Sequence, residues 1–341
     1  MDRVAVAARM PGRTVVVREY EPADEQAVIE LLVLCFGTWP HGLETVEPQE
    51  FFRWKTQRSP FGVSRSWIAE VDGEVVGFLA QLPWRLQIAN RVLTTLRGTD
   101  LAVHPHYRRR GVSQEMVRAA MRAQRTDVAL AWNNPNVRSR GSVLKVGHRE
   151  LLSVRRFVRP SARPLRTLAR LTARGSCTPR AVEVTAPSAA EVLSDEPFVA
   201  QLLADAPRST ARLTTLRTVD YLRWRYAFDA YRAIRIGGTE DDGGVAIFRV
   251  RRAGSLWLAD VCEVIAPHAG TARELLRQAN DSAAIDFSCC AFPSHAQALR
   301  FGFAVPARQF ELTVRRVGGE VGVDPGESAS WALSLGDVEL L

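Results

Sequence analysis

The residues best suited to chemistry lie in one short stretch, Tyr107-Arg108-Arg109-Arg110-Gly111-Val112-Ser113. Arginine presents a planar fork of N–H donors that matches phosphate oxygens. Glycine lets the backbone itself approach an anion. A helix beginning just after Gly111 would leave its first N–H groups unpaired, and its dipole would add positive potential at that end. The combination suits a phosphate group. Groups able to move protons stand nearby. Asp100 precedes the turn inside an otherwise apolar run, where an acid needs a partner; Arg97 or another arginine would serve. His104 and His106 have intrinsic pKa values near neutrality, but their place in the turn favours a structural role. Glu44 lies in an upstream loop, and Trp39, His41 and Trp84 suit a cleft wall or a core equally well.

The flanking pattern predicts the elements that hold these groups. Val92–Val103 reads as a strand stopped by Pro105. Met116, Val117, Ala120 and Met121 recur at helical spacing after Gly111. Upstream, residues 1–13 read as a loose arm, Val15–Arg18 as a strand, Glu21–Cys35 as a helix and Pro48–Lys55 as a short helix. Ser66–Val71 and Glu74–Gln81 read as a hairpin across Asp72-Gly73. Downstream, Asp127–Trp132 reads as a buried strand and Pro135–Val146 as a helix. Leu151–Val158 reads as a strand that closes the unit. The order is β-α-α-β-β-β-α-β-α-β, which places the chain in the α/β class with a mixed sheet.

Arg108-Arg109-Arg110-Gly111-Val112-Ser113, led in by Leu101-Ala102-Val103-His104-Pro105, resembles motif A of the GNAT superfamily of N-acetyltransferases. That motif reads Arg/Gln-x-x-Gly-x-Gly/Ala, and Ser113 is a small departure from it. The resemblance covers roughly residues 14–158. It implies that acetyl-CoA is the acyl donor and that Arg108, Arg109, Arg110, Gly111, Val112 and Ser113 hold its phosphates. The backbone of Leu101, Ala102 and Val103 would hold the thioester end where this strand splays from the next. Asn136-x-x-Ser139 meets a second family pattern, so Asn136 and Ser139 lie beside the pantetheine arm; Asn136 reads equally as a helix-start residue. Many members then place a Tyr that protonates the departing thiolate. The matching position here is Val143, which has no proton to give, so another group or water takes that role or the reaction is slow. Asp100 and Glu44 are the candidate bases.

The second half repeats landmarks of the first. Phe51-Phe52-Arg53-Trp54-Lys55 recurs as Tyr221-Leu222-Arg223-Trp224-Arg225. Val143-Leu144-Lys145-Val146-Gly147-His148 recurs as Ala298-Leu299-Arg300-Phe301-Gly302-Phe303. The basic turn does not recur: Ala266-Pro267-His268-Ala269-Gly270 lacks the arginines. The chain is thus similar to tandem GNAT enzymes of the mycothiol-synthase type, with one active lobe and one degenerate lobe. The expected division is residues 14–158 as the acetyl-CoA-binding GNAT domain, 159–197 as a Pro/Ala/Arg-rich linker, 198–317 as the degenerate GNAT-like domain and 318–341 as a tail. Within the linker, Leu165, Leu168, Ala169, Leu171 and Ala173 read as one face of a small basic helix.

The 341 residues suffice for two domains, and 46% hydrophobic with 24% charged residues is globular. No run of 18 apolar residues exists. The five cysteines lack metal-type spacing and read as reduced thiols of a cytoplasmic protein, with no metal expected. Net charge is +8, almost all of it arginine, and no nucleic-acid-binding signature accompanies it. The leading expectation is direct acetyl transfer, in a ternary complex, to the amine of a small molecule, by a monomer or homodimer. A non-catalytic acyl-CoA-binding or scaffold protein is the alternative that Val143 favours. An aminoacyl-tRNA-dependent transferase of related fold is a third.

Overall fold

The computed structural model describes residues 6–10, 13–43, 45–124, 126–161, 167, 182–207, 209, 211–237 and 243–338. These divide into two compact units, one drawn from residues 1–151 and 311–330, the other from residues 152–310 and 331–340. No helix among the described residues is long and apolar enough to cross a membrane.

In the first unit the chain runs β1 Val6–Met10, β2 Arg13–Glu19, α1 Glu25–Phe36, α2 Pro48–Gln57, β3 Arg65–Val71, β4 Glu74–Ile88, β5 Arg91–Val103, α3 Val112–Arg122, β6 Leu130–Asn133 and α4 Val137–Leu144. Residues 6–10 are not a loose arm. They pair antiparallel with β2, from Val6 opposite Val17 to Met10 opposite Arg13, and a Pro-Gly turn signal separates them in sequence from that valine-rich strand. The β3–β4 hairpin turns on Asp72 and Gly73, both at positive φ (52° and 84°), as a two-residue primed turn requires. Successive strands pair antiparallel up to β5. The next neighbour, β6, runs parallel to β5, and α3 is the crossover. That helix buries Met116, Val117, Ala119 and Ala120 against Trp67, Ala69, Val76 and Leu79. A Cβ on Gly77 would come within 2.9 Å of the Met116 methyl, so glycine there allows α3 to lie close on the sheet.

The place beside β6 is filled from the far end of the chain. The strand expected at Leu151–Val158 exists as β7 Arg149–Pro160, but its residues 156–160 pair with β11 Phe287–Ala291 in the second unit. Thr313–Arg316, in the later strand Val305–Arg316, pair antiparallel with β6 instead. The division at 158 and the domain 198–317 therefore differ from the compact units found. Sequence periodicity identifies a strand but not its partner. The expected linker also contains structure: β7 reaches Pro160, and α5 Ala189–Leu193 is capped by Ser188. The basic helix expected around Leu165–Ala173 lies outside the described residues apart from Thr167.

Beyond α5 the chain continues with α6 Glu196–Asp205, α7 Val219–Arg225, β8 Tyr231–Ile236, β9 Gly244–Ala253, β10 Leu256–Ile265, α8 Ala269–Asp281, β11, α9 His295–Arg300, β12 Val305–Arg316 and α10 Leu335–Val338. The sheet of the second unit is antiparallel except where β10 meets β11. The tail has a clear place. Asp337, on α10, is fully buried with Arg217 Nη2 at 3.0 Å, and Arg217 also lies 3.0 Å from Glu263. Burial pushes the Glu263 carboxyl above its ordinary range; for Asp337 burial acts the same way, but Arg217 overcomes it and holds that carboxyl low.

Candidate functional site

The geometry begins with a bulge. On β5, Ala102 stands opposite Phe78 and Thr99 opposite Ala80, so Asp100 and Leu101 together face the single Leu79. Asp100 takes a left-handed conformation, φ 51°, which Asp tolerates better than most residues. Its carboxylate is held from below by Lys55 of α2, with Nζ 3.0 Å from Oδ1 and 2.9 Å from Oδ2. The partner expected for Asp100 was an arginine; it is this lysine. The Lys55 side chain is 1% exposed and the Asp100 side chain 11%. Arg97 is engaged elsewhere, between the Trp84 and Trp132 rings (5.0 Å to each centroid) and on Asn134 Oδ1 at 3.1 Å. Trp84 and Trp132 are fully buried, so Trp84 is core and not cleft wall. Trp39 packs on Phe51 and Phe52, whereas His41 is exposed.

β5 leaves β6 just before the bulge. The parallel register ends at Arg97 opposite Trp132. Gly98 to Val103 then pair only toward β4, which leaves the other edge of Leu101, Ala102 and Val103 without a strand partner among the described residues. The Val103 carbonyl accepts from Arg108 Nε at 3.0 Å and Cys35 Sγ at 3.4 Å. An open strand edge of this kind can hydrogen-bond an extended ligand.

The basic turn stands at the end of that edge. Arg109 and Gly111 are both left-handed, φ 61° and 83°. Arg108, Arg109 and Arg110 are exposed. Gly111 is the N-cap of α3, and its carbonyl accepts from Gln114 and Glu115. The backbone N–H groups of Arg109 to Ser113 donate to no acceptor among the described residues, so they form a concavity of donors at a helix N-terminus. Ser113 Oγ lies 2.8 Å from Ser142 Oγ and ties α3 to α4. In the turn, His104 Nδ1 accepts from the His106 N–H at 3.3 Å.

Asn136 caps α4. Its Oδ1 accepts from the N–H groups of Arg138 (2.9 Å) and Ser139 (3.0 Å), and Ser139 Oγ lies 3.3 Å from the Asn136 carbonyl oxygen. Val143 is buried in the core beneath α3. Glu44 lies outside the described residues. Among those described, no group of three His, Cys, Asp or Glu could hold a metal ion.

Sequence reasoning missed Lys55, Asn133, Thr313 and His148. Lys55 had a signal, since it falls on the helical stripe of Phe51 and Phe52. The other three form a chain: Thr313 Oγ1 donates to Asn133 Oδ1 and lies 3.4 Å from His148 Nδ1. Only the exchanged strand brings Thr313 there. Burial, with help from the Arg315 charge, lowers the His148 pKa from its ordinary 6.5 to about 4, so the imidazole is neutral near pH 7.

Residues 16–141 match the family described as the acetyltransferase (GNAT) domain. Acyl transfer is the activity such a domain supports in general. Among solved structures, a GCN5-related N-acetyltransferase from Anabaena variabilis ATCC 29413 is similar at TM-score 0.63 and 15% identity, covering 89% of this chain and 73% of that one. A GCN5-related N-acetyltransferase from Kribbella flavida is similar at TM-score 0.60 and 14% identity, with coverages of 91% and 72%. Eis1 from Mycobacterium abscessus is similar at TM-score 0.55 and 15% identity, with coverages of 89% and 73%. At these identities the likeness is one of fold. No curated protein matches the sequence.

Two stability predictions follow from the buried groups. Asp100→Asn keeps the left-handed residue type but removes the carboxylate charge beside the buried Lys55 ammonium, so urea denaturation should show a loss of about 3 kcal/mol. Adding Lys55→Met should recover most of it; a loss below about 1 kcal/mol in the single variant would show that water already screens the pair. For His148, the unfolded state binds a proton below pH 6.5 that the folded state refuses until about pH 4. Stability is therefore full above pH 6.5 and falls across that window, by at most roughly 3 kcal/mol. Denaturation of His148→Gln over the same range should lack this slope, and an unchanged slope would assign it to other groups.

Proposed function

We propose that the chain is an acetyl-CoA-dependent N-acetyltransferase that acts on the amine of a small acceptor by direct transfer. The observation that carries the reading is the row of unpartnered N–H groups from Arg109 to Ser113, set among three exposed arginines at the end of an open strand edge. A pyrophosphate fits such a row, and a Cβ at Gly111 would meet nothing within 4 Å, so the space before the turn is open. When bound, acetyl-CoA supplies an acyl group already activated as a thioester. The backbone of Leu101, Ala102 and Val103 would hold the arm along the edge, with the α4 start at Asn136 and Ser139 on its other side. An N–H on that edge is suited to an oxyanion.

The proton steps fall to few groups. The Asp100 carboxylate is ion-paired to Lys55, which favours an orienting role over proton acceptance. Glu44 remains the other candidate base. Val143 has no proton to donate, so water or the acceptor itself would protonate the thiolate. The second unit reads as a degenerate copy: His268 is the N-cap of α8, the lead-in to that helix has no arginine, and the β10–β11 pair matches the parallel β5–β6 pair. A buried cation from the same repeat position supports the copy further, since Arg225 is fully buried, as Lys55 is.

Val143, buried where a phenol is usual, favours one alternative, a non-catalytic acyl-CoA-binding protein. Two measurements separate the readings. Acetyl-CoA should raise the melting temperature of wild type and leave Gly111→Glu unmoved, because a carboxylate at that N-cap repels a pyrophosphate and strains a left-handed position. Wild type with a panel of primary amines should release free thiol from acetyl-CoA. Stabilisation without thiol release would favour the binding protein, and no stabilisation would sink both.

A further inference from the structure

Asn133 ends β6 one residue beyond the last β5–β6 pair. Its Oδ1 accepts from the Thr313 hydroxyl, its direct partner across the antiparallel pair. A hydroxyl that donates to Asn133 can still accept, and His148 Nδ1 lies 3.4 Å away. With the Thr313 hydroxyl donated to Asn133, the contact to His148 is completed by the tautomer that carries its proton on Nδ1 and donates it to Thr313 Oγ1. Thr313 is fully buried, so water does not compete for its hydroxyl. With Oδ1 committed to Thr313, the amide nitrogen points the other way. A Cβ at Gly98 would come within 3.3 Å of Nδ2, so the amide faces the first residue at which β5 is free of β6. Nδ2 donates to no acceptor among the described residues.

An aimed N–H at the mouth of an open strand edge calls for a carbonyl oxygen. An acceptor amine in its ammonium form offers donors only, whereas the acyl-pantetheine arm carries amide and thioester carbonyls. We propose that Asn133 is a donor-binding residue whose Nδ2 hydrogen-bonds a carbonyl oxygen of that arm, with Thr313 and His148 as positioning residues that aim it. The proposal rests on the acyl-CoA reading and adds to it a contact supplied partly by the exchanged strand. A merely structural chain would cap the end of β6 and have no preference between ligands that contain the arm and ligands that lack it.

The test compares acetyl-CoA with adenosine 3′,5′-bisphosphate, which keeps the nucleotide and lacks the arm, by calorimetry on the full chain. Asn133→Ala should raise the acetyl-CoA Kd about tenfold, the loss of one hydrogen bond, and leave the bisphosphate Kd unchanged. Thr313→Val should weaken acetyl-CoA binding in the same selective way, and Thr313→Ser should restore it. An unchanged acetyl-CoA Kd in Asn133→Ala would overturn the proposal and leave the acyl-CoA reading standing. Parallel weakening of both ligands would also overturn it, as the mark of a structural role. Failure of wild type to bind either ligand would overturn the acyl-CoA reading itself, and this proposal with it.

Discussion

The site depends on one local irregularity, the extra residue in β5 clamped by a buried ion pair. The last β5–β6 pair is Arg97 with Trp132, and the bulge at Asp100 and Leu101 then shifts the register of β5 against β4 along the edge that β6 no longer covers. A left-handed Asp on a strand is costly, and a lysine ammonium out of water more so. Each is tolerated beside the other: the Lys55 ammonium lies 2.9 Å from the Asp100 carboxylate and next to the Phe51 ring. The pair holds the bulge at the free end of β5.

Around that departure the polar groups divide into two kinds. Backbone donors at the start of α3 are satisfied by nothing among the described residues, which is what a site for a bound anion requires. Side-chain donors near β6 are satisfied in sequence, from His148 through Thr313 to Asn133, and leave one amide N–H at the end. The first arrangement provides affinity for charge. The second provides orientation, because the Thr313 hydroxyl donated to Asn133 Oδ1 turns the amide nitrogen toward Gly98.

Much of this was legible from residue types. The strand, basic turn and helix from Val92 to Arg122 could be read directly, because Gly111 and the helical spacing after it are strong local signals. Asp100 was legible as an anomaly, an acid in an apolar run, although its partner was not: Lys55 is distant in sequence, and only its place on the Phe51 and Phe52 stripe hinted at burial. The partner of β6 was not legible at all. The segment 149–160 and the segment 305–316 have similar β patterns, and alternation carries no label for which edge each will join. Thr313 and hence the polar chain were invisible for the same reason. Val143 was legible as a missing acid, and its burial explains the type chosen.

The central claim is that the turn at Arg108–Ser113 binds one acyl-CoA and that its counterpart at Ala266–Gly270 binds none. Calorimetric titration of acetyl-CoA into the purified chain measures this directly as a stoichiometry. The account predicts one site per chain. Two sites would contradict the degenerate reading of the second unit, and no binding would show that the open edge and the row of amide donors serve some other ligand.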